Sequence, residues 1–326
     1  MIIGSTKEPS IKETRTSLTP NVVEELSKLG HTILLEKNIG KKSKFSNSDY
    51  IYSKAKFLSS ESIYQKSDII LQITPPSNQQ INQLNKNQIL ISDFSSTNFS
   101  KITTKATLIK LEQVPRTASA QSIDILSSQH TIRGYSAALY ALIKSNRIAP
   151  QIFTASTSLK QSKALIIGAS ITGLQASSTL KRNGVDVTIA DINENTKELA
   201  QSVGANFINS NNILSILNNQ DFIISTAKTK SNQPILNLQN LNNLKNYSII
   251  IDTTPNNIDI PKNTLTTSKF FFHRNTCFEQ LFPTSSSSLW ANNMLNLIKI
   301  ITHSNQLDLS INYIKPMIYH STKETK

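Results

Sequence analysis

Residues 163–173 read Lys-Ala-Leu-Ile-Ile-Gly-Ala-Ser-Ile-Thr-Gly, and this stretch decides how the second half of the 326-residue chain folds. A buried-strand pattern runs into Gly168, and a helical pattern begins near Gly173. A dinucleotide-binding turn is built this way: the first glycine permits the tight turn, the last lets the helix approach the strand, and the helix N-terminus attracts a diphosphate. Ser170 stands where the usual pattern has its middle glycine, so we expect a dinucleotide site with one altered contact.

A carboxylate follows this turn at a suitable distance. Asp191 closes the next predicted strand, 18 positions after Gly173, where a dinucleotide fold places the acid that binds the adenosine ribose hydroxyls. A carboxylate there would repel a 2′-phosphate, so the sequence favours NAD over NADP. Asp191 would also suit the N-cap of a helix beginning near Asn193, and the two roles are compatible.

Short β-branched runs alternate with helical patterns along the chain, which is typical of βαβ units. We therefore predict an α/β fold of two Rossmann-like domains with parallel sheets, joined by long helices, with the NAD site in the cleft between them. The N-terminal domain would comprise residues 1–125 with the returning tail 305–326, and the NAD-binding domain residues 126–304. The predicted strands are residues 1–4, 32–36, 68–73, 88–92, 107–111, 163–168, 185–190, 221–226 and 248–252. The clearest helices cover residues 19–30, 171–183 and 284–303.

Composition excludes several functions. The single cysteine allows no internal disulfide, and five scattered histidines lack metal-ligand spacing, so no metal site is expected. The net charge of +13 comes from dispersed lysines without interleaved aromatics, which argues against nucleic-acid binding. No segment approaches the ~20 apolar residues of a membrane span, and the N-terminus has no signal-peptide layout. We therefore expect a cytoplasmic protein without direct membrane insertion.

A second polar cluster lies in residues 114–128, at the predicted link between the domains. On a helix, Gln121, Asp124 and Ser127 would share one polar face, with Ile123 on the apolar side. One interpretation is a solvated face on which Arg116 pairs with Asp124. The other is a ligand-binding face, and the residues alone leave both open.

Residues 112–135 resemble the nicotinamide-side loop and linking helix of the soluble NAD(H)-binding domain of proton-translocating NAD(P) transhydrogenase alpha subunits, whose relatives are the alanine dehydrogenases. Further motifs extend the resemblance over nearly the whole chain: Lys7-Glu8, Glu13-Thr14-Arg15, Thr19-Pro20, Asp252 and Pro283-Thr284-Ser285-Ser286. The resemblance implies that the chain binds NAD(H) and exchanges a hydride directly with NADP(H) on a partner beta subunit. It also implies a homodimer at the inner face of the cytoplasmic membrane, where membrane-spanning subunits couple the transfer to proton movement.

The resemblance also implies the site residues. The nicotinamide side would be held by Arg116, Gln121, Ser122, Ile123, Asp124 and Ser127. The diphosphate and adenosine side would be held by Gly168, Ser170, Ile171, Gly173, Asp191, Ile192 and Asn193. Arg116, Gln121 and Asp124 would be the catalytic residues in a positioning sense, because a hydride that passes directly between two rings needs close approach rather than a general base.

Two alternatives stay open. An alanine dehydrogenase would need a proton donor near its substrate, usually a Lys and a His in this family, and residues 71–76 and 93–97 contain neither. A degenerate, non-catalytic NAD-binding or structural subunit is the other. Ser119 and Asn193 stand where the family often has arginines, and residues 253–257 replace a glycine-rich stretch.

Overall fold

The computed structural model of this chain describes residues 1–228, 233–303 and 306–319. These residues form two compact units, Met1–Gln129 with the described residues from Gln280 onward, and His130–Glu279. The predicted α/β class is confirmed, since each unit contains a seven-stranded sheet in which most strands are parallel. None of the helices in the described ranges is long and apolar enough to cross a bilayer.

Strands and helices are numbered along the chain. The strands are β1 (Ile2–Ser5), β2 (Thr32–Glu36), β3 (Lys56–Leu58), β4 (Ile69–Leu71), β5 (Ile89–Ser92), β6 (Thr107–Lys110), β7 (Ile152–Phe153), β8 (Ser158–Leu159), β9 (Lys163–Ile167), β10 (Asp186–Asp191), β11 (Asn206–Asn209), β12 (Phe222–Ser225), β13 (Ser248–Asp252), β14 (Thr264–Thr266), β15 (Phe270–Arg274), β16 (Thr302–His303), β17 (Gln306–Leu307) and β18 (Ile318–Tyr319). The helices are α1 (Pro20–Lys28), α2 (Asn47–Tyr52), α3 (Ser60–Lys66), α4 (Asn78–Asn82), α5 (Ile125–Lys144), α6 (Ile171–Arg182), α7 (Lys197–Ser202), α8 (Ile213–Ile216), α9 (Leu238–Leu241) and α10 (Pro283–Ile301).

The sheet of the first unit has the order β18-β6-β5-β4-β1-β2-β3. Strands β1 to β6 are parallel to their neighbours, as the β-branched runs predict, whereas β18 pairs antiparallel with β6. The tail therefore returns to the first unit as far as Tyr319, and the rest of the predicted tail segment lies outside the described residues. Strand β3 was not predicted because its sequence, Lys-Phe-Leu, contains no β-branched residue.

Helix α10 belongs to the first unit. The sequence-based division, in which the second domain comprises residues 126–304, assigns this helix to the second domain instead. The buried residues Trp290, Met294 and Leu297 of this helix lie in the same apolar core as Ile3 and Leu18. The burial of this apolar face, rather than position along the chain, decides where the helix packs. At its other end the second unit begins within α5, slightly later than the predicted boundary at residue 126.

The sheet of the second unit has the order β11-β10-β9-β12-β13-β15-β14, and only β14 is antiparallel to its neighbour. The chain runs from β9 to β10 on one side and later returns to β12 on the other, so the strand order reverses at β9. In open α/β sheets, ligands bind beyond the carboxyl ends of the strands at such a reversal. The carboxyl ends of β9, β10 and β12 therefore define the place to look for a site.

Candidate nucleotide-binding site

The turn between β9 and α6 depends on two glycines. Gly168 has φ +102°, a conformation that L side chains rarely adopt, and a Cβ there would lie 2.8 Å from the backbone of Ala227. A Cβ on Gly173 would lie 2.0 Å from the carbonyl oxygen of Gly168. The first glycine thus allows the turn and the second allows α6 to approach β9, as the sequence pattern predicts.

The hydroxyl of Ser170 points back into the protein. Its Oγ accepts a hydrogen bond from the Gly173 N–H at 3.2 Å and donates to Oγ1 of Thr226 at 3.1 Å, so that Ser170 is the N-cap of α6. From the sequence alone, an altered phosphate contact is expected at this position. The structure gives the hydroxyl two internal partners instead, and the extra side chain stabilises the helix start.

Thr226 is a residue of the site that sequence reasoning missed. It follows β12, and its Oγ1 donates to the carbonyl oxygen of Gly168 at 2.9 Å while accepting from Ser170. Its backbone N–H also donates to the Ile167 carbonyl at 2.8 Å. These bonds fix the turn from the neighbouring strand. The available signal was its position at the carboxyl end of a strand next to β9, where ligand sites of this fold class lie.

Asp191 ends β10 beside the turn. One carboxylate oxygen accepts the N–H of Ala169 at 2.7 Å and the other accepts the N–H of Asn193 at 2.9 Å. Asn193, and not Asp191, is the N-cap of the short 3₁₀ helix that follows, through a bond from the N–H of Asn195 to its side chain. A carboxylate has about four acceptor positions, so Asp191 keeps acceptor capacity for two ribose hydroxyls.

These residues line a cavity of about 800 Å³, within the range of small-molecule sites. Five of the predicted residues line it, namely Gly168, Ser170, Asp191, Ile192 and Asn193. Ile171 and Gly173 lie outside its lining, at the start of α6. Residues that the sequence did not indicate add polar groups from neighbouring loops: Thr196, Ser210, Asn211 and Lys228.

The polar segment 116–127 of the first unit is not one continuous helix. A 3₁₀ helix, Ala118–Ile123, ends at Asp124, whose carboxylate accepts the N–H of Ser127 at 3.0 Å and a short hydrogen bond from the Ser127 hydroxyl. Asp124 thus acts as a cap for α5. The single polar face predicted across this segment is therefore broken, because the chain changes helix type at Asp124.

The other predicted residues of this segment differ in exposure. Ile123 is buried, whereas the side chains of Arg116, Gln121 and Ser122 are exposed. The guanidinium of Arg116 has no ion pair or hydrogen bond with any residue of the described ranges, so it does not pair with Asp124 there. The Ser122 carbonyl accepts side-chain hydrogen bonds from two asparagines of α10, at 2.8 and 3.0 Å. The 3₁₀ helix is thus anchored by its backbone and leaves these side chains free.

At the carboxyl edge of the first unit's sheet, acidic groups and one arginine have internal partners. The Arg15 guanidinium donates to Glu13 at 2.8 and 2.7 Å and to Gln129 at 2.7 Å. Although burial alone would raise it, the Arg15 interaction lowers the pKa of Glu13. The Glu8 carboxylate accepts the N–H groups of Ile73 and Thr74 at 2.9 and 2.8 Å, and its burial still raises its pKa to about 8.

Two features define the class of protein: paired Rossmann-type units, and a glycine turn followed by a strand-end carboxylate in the second. The chain belongs to the alanine dehydrogenase/PNT family, because the model of the N-terminal domain of that family matches residues 4–133 and the model of the C-terminal domain matches residues 137–320. The resemblance found in the sequence is thereby confirmed. Among the described residues, no three His, Cys, Asp or Glu side chains come together as metal ligands would.

Named relatives agree with this membership. An NAD(P) transhydrogenase subunit alpha of Haemophilus influenzae is 26% identical over 351 residues, covering 96% of this chain and 68% of that protein. An NAD(P) transhydrogenase subunit alpha of Cereibacter sphaeroides is 30% identical over 214 residues, covering 64% of this chain but only 41% of the relative. A crystal structure of transhydrogenase from Sinorhizobium meliloti superposes with a TM-score of 0.89, at 24% identity, over 98% of this chain and 99% of the other.

Proposed function

We propose that this chain is an alpha-type subunit of a proton-translocating NAD(P) transhydrogenase. It binds NAD(H) and exchanges a hydride directly with NADP(H) held by a partner beta subunit. The observation that carries the proposal is the cavity at the carboxyl ends of β9 and β10, which the Gly168 turn, the α6 N-cap Ser170 and Asp191 line together. The names of the relatives support the choice of reaction within the family.

The residues of the cavity suit NAD(H) in three respects. The start of α6 offers backbone N–H groups and a partial positive charge to a diphosphate. The glycines allow the tight turn after β9 and the close approach of α6 to that strand, which a Cβ at either position would prevent. The free acceptor capacity of Asp191 suits the two ribose hydroxyls of the adenosine half, while its negative charge disfavours a 2′-phosphate. NAD(H) is therefore favoured over NADP(H) on this subunit.

The nicotinamide half is proposed to bind the segment 116–127. Arg116, Gln121 and Asp124 would orient the ring and its ribose, with Ser127 holding Asp124 in place through two hydrogen bonds. When bound, NAD(H) supplies the hydride, and the protein supplies orientation and exclusion of water. No proton donor is required of these side chains.

The remaining elements of the proposal concern partners. The match covers 68% and 41% of the two named relatives. The partner subunits and the cellular location proposed here come from the names of these relatives and from the resemblance in the sequence. We place the chain in the cytoplasm as a homodimer, peripheral to the inner face of the cytoplasmic membrane. There it would contact an NADP(H)-binding beta subunit and the membrane-spanning subunits that move protons.

Titration of the full chain with NADH, followed by calorimetry, tests the binding step. Asp191→Asn should weaken NADH binding by about tenfold, since a charge-assisted hydrogen bond contributes roughly 1.5–3 kcal/mol. Asp186→Asn, at the other end of the same strand, is the matched control and should bind NADH like the parent chain. Equal affinity of all three proteins would contradict the assignment of the site.

Mixing the chain with an NADP(H)-loaded beta partner domain and an NAD analogue then tests the reaction. Hydride transfer to the analogue is expected. Binding of NADH without transfer would favour the degenerate subunit over the enzyme. Oxidation of NADH that depends on pyruvate and ammonium would favour an alanine dehydrogenase.

A further inference from the structure

A second cavity lies at the opposite edge of the second unit's sheet. It has a volume of about 880 Å³ and is formed where β9, β12 and β13 begin, with the loops after α5 and β8 completing its wall. Because β9 has five residues, at a rise of about 3.3 Å each, roughly 16 Å separate this cavity from the Gly168 turn. The cavity is therefore distinct from the candidate nucleotide site.

The lining of this cavity is strongly basic. Four of its eleven lining residues are Lys or Arg, against 34 of 326 in the whole chain, so the basic composition of the protein does not account for the cluster. The cationic residues are Arg147, Lys160, Lys163 and Lys245, and one acidic residue, Asp221, faces them. Four positive charges against one negative charge leave a surplus of three.

Asp221 organises two of these charges. Its side chain is 8% exposed, and its carboxylate lies 2.6 Å from Nζ of Lys245 and 3.4 Å from a guanidinium nitrogen of Arg147. It also accepts the backbone N–H of Lys163 at 3.0 Å. Two cations are thus held at the cavity wall before any ligand arrives, which reduces the entropy lost on binding.

The other two cations have no such partner. The ammonium groups of Lys160 and Lys163 form no hydrogen bond or ion pair with any residue in the portion of the chain that the structure describes. Uncharged polar groups of Asn146 and Asn219 also line the cavity, as does Gln161, whose amide nitrogen already donates to the Gly184 carbonyl at 2.8 Å. Such a set of donors matches the oxygen atoms of a phosphate-bearing ligand.

We propose that this cavity binds a small molecule carrying a diphosphate group, at a site separate from that of NAD(H). A diphosphate has nearly the charge needed to neutralise the surplus, and its oxygens accept several hydrogen bonds at once. The Arg147 fork can contact two of them together. A volume near 880 Å³ leaves space for a group attached to the diphosphate.

Titration calorimetry of the full chain with inorganic pyrophosphate, at constant ionic strength, tests this proposal. Saturable binding is expected for the parent chain, and the double variant Lys160→Gln/Lys163→Gln should bind at least tenfold more weakly. Lys181→Gln/Lys262→Gln removes the same charge from the same unit outside the cavity and should bind like the parent. Thermal unfolding with pyrophosphate should show a raised midpoint for the parent and the control only, because a ligand of the native state stabilises it.

Three results would overturn the proposal. The first is an absence of saturable heat for the parent chain at millimolar pyrophosphate. The second is undiminished binding by Lys160→Gln/Lys163→Gln, which would locate the ligand elsewhere, including the Gly168 turn. The third is an equal loss in both double variants, which would indicate a general response to net charge. Both double variants leave the Gly168 turn unchanged, so NADH titration of the same proteins separates a failure of this proposal from a failure of the proposed function.

Discussion

The two segments assigned to the cofactor differ in how they are held. In the second unit, Thr226 donates a hydrogen bond to the turn at residues 168–173, while Ser170 and Asp191 accept backbone N–H groups of that turn. In the first unit, segment 116–127 is anchored by its backbone, while Arg116 and Gln121 extend exposed side chains. The turn is thus preorganised to bind, whereas the exposed side chains of Arg116 and Gln121 are not held by partners among the described residues. We therefore expect changes in the turn to affect NADH affinity and changes in segment 116–127 to affect hydride transfer.

The largest effect is expected from Gly173→Ala. The added Cβ would lie 2.0 Å from the Gly168 carbonyl oxygen, so α6 must move away from β9 and the cavity must deform. NADH binding should be abolished in calorimetry, with a loss of about 1–3 kcal/mol in the free energy of unfolding measured in urea. Gly204→Ala is the matched control, because its Cβ would meet only the end of Lys181 at 3.5 Å. That variant should be somewhat strained, since its φ is +74°, and should still bind NADH.

Arg116→Gln tests the proposed role of segment 116–127 in hydride transfer. Because the guanidinium has no partner among the described residues, the free energy of unfolding should change by less than about 0.5 kcal/mol. The rate of hydride transfer should fall on the order of 100-fold, the size that misplacement of a reacting group can produce. NADH affinity should change far less. Arg182→Gln, an exposed arginine at the end of α6, should leave both quantities unchanged.

A smaller effect is expected from changes at Thr226, where two variants distinguish the role of the hydroxyl from the role of side-chain volume. Thr226→Val keeps the shape but removes the donor to the Gly168 carbonyl, so NADH should bind about tenfold more weakly, equivalent to roughly 1–1.5 kcal/mol. Thr226→Ser retains the hydroxyl and should restore most of the affinity. If both variants bind NADH equally, the hydrogen bond to the turn is not what positions it.

The smallest effect concerns Glu8, in the first unit. Burial raises the pKa of Glu8 from 4.5 to about 8, so its neutral form is favoured in the folded chain. Between these values the unfolded state binds fewer protons than the native state, and the stability contributed by Glu8 is lost as pH rises towards 8. Glu8→Gln should remove this loss, giving a gain on the order of 1 kcal/mol above pH 8, a modest value because Glu8 as a whole residue is only half-buried. Urea unfolding at pH 5 and pH 8.5 measures the difference, and parallel curves for both proteins would contradict it.

Features of the fold that depend on neighbouring residues could be predicted from the sequence, whereas features that depend on residues distant in the chain could not. The β9 strand, the Gly168 turn and Asp191 were predictable because glycine conformation, helix starts and strand alternation are local properties. The role of Thr226 was not, because it acts across 58 residues on the Gly168 carbonyl. Strand β15 and the packing of α10 likewise depend on contacts distant in sequence.

Segment 116–127 shows the limit of periodicity. The polar spacing correctly grouped Asp124 with Ser127, which are hydrogen-bonded. The polar spacing did not reveal the change from a 3₁₀ helix to α5 at Asp124. An Asp in the middle of a helical pattern is equally compatible with a surface residue and with a helix cap. The roles of Arg116 and Gln121 toward a nicotinamide rest on the family resemblance and stay predictions.

The most direct measurement is a crystal structure of the full chain grown with NADH. We predict a diphosphate at the N-terminus of α6 and adenosine ribose hydroxyls within about 2.7–3.2 Å of the Asp191 carboxylate. NADH bound away from the Gly168 turn, or a cavity that NADH leaves empty at saturating concentration, would contradict this prediction.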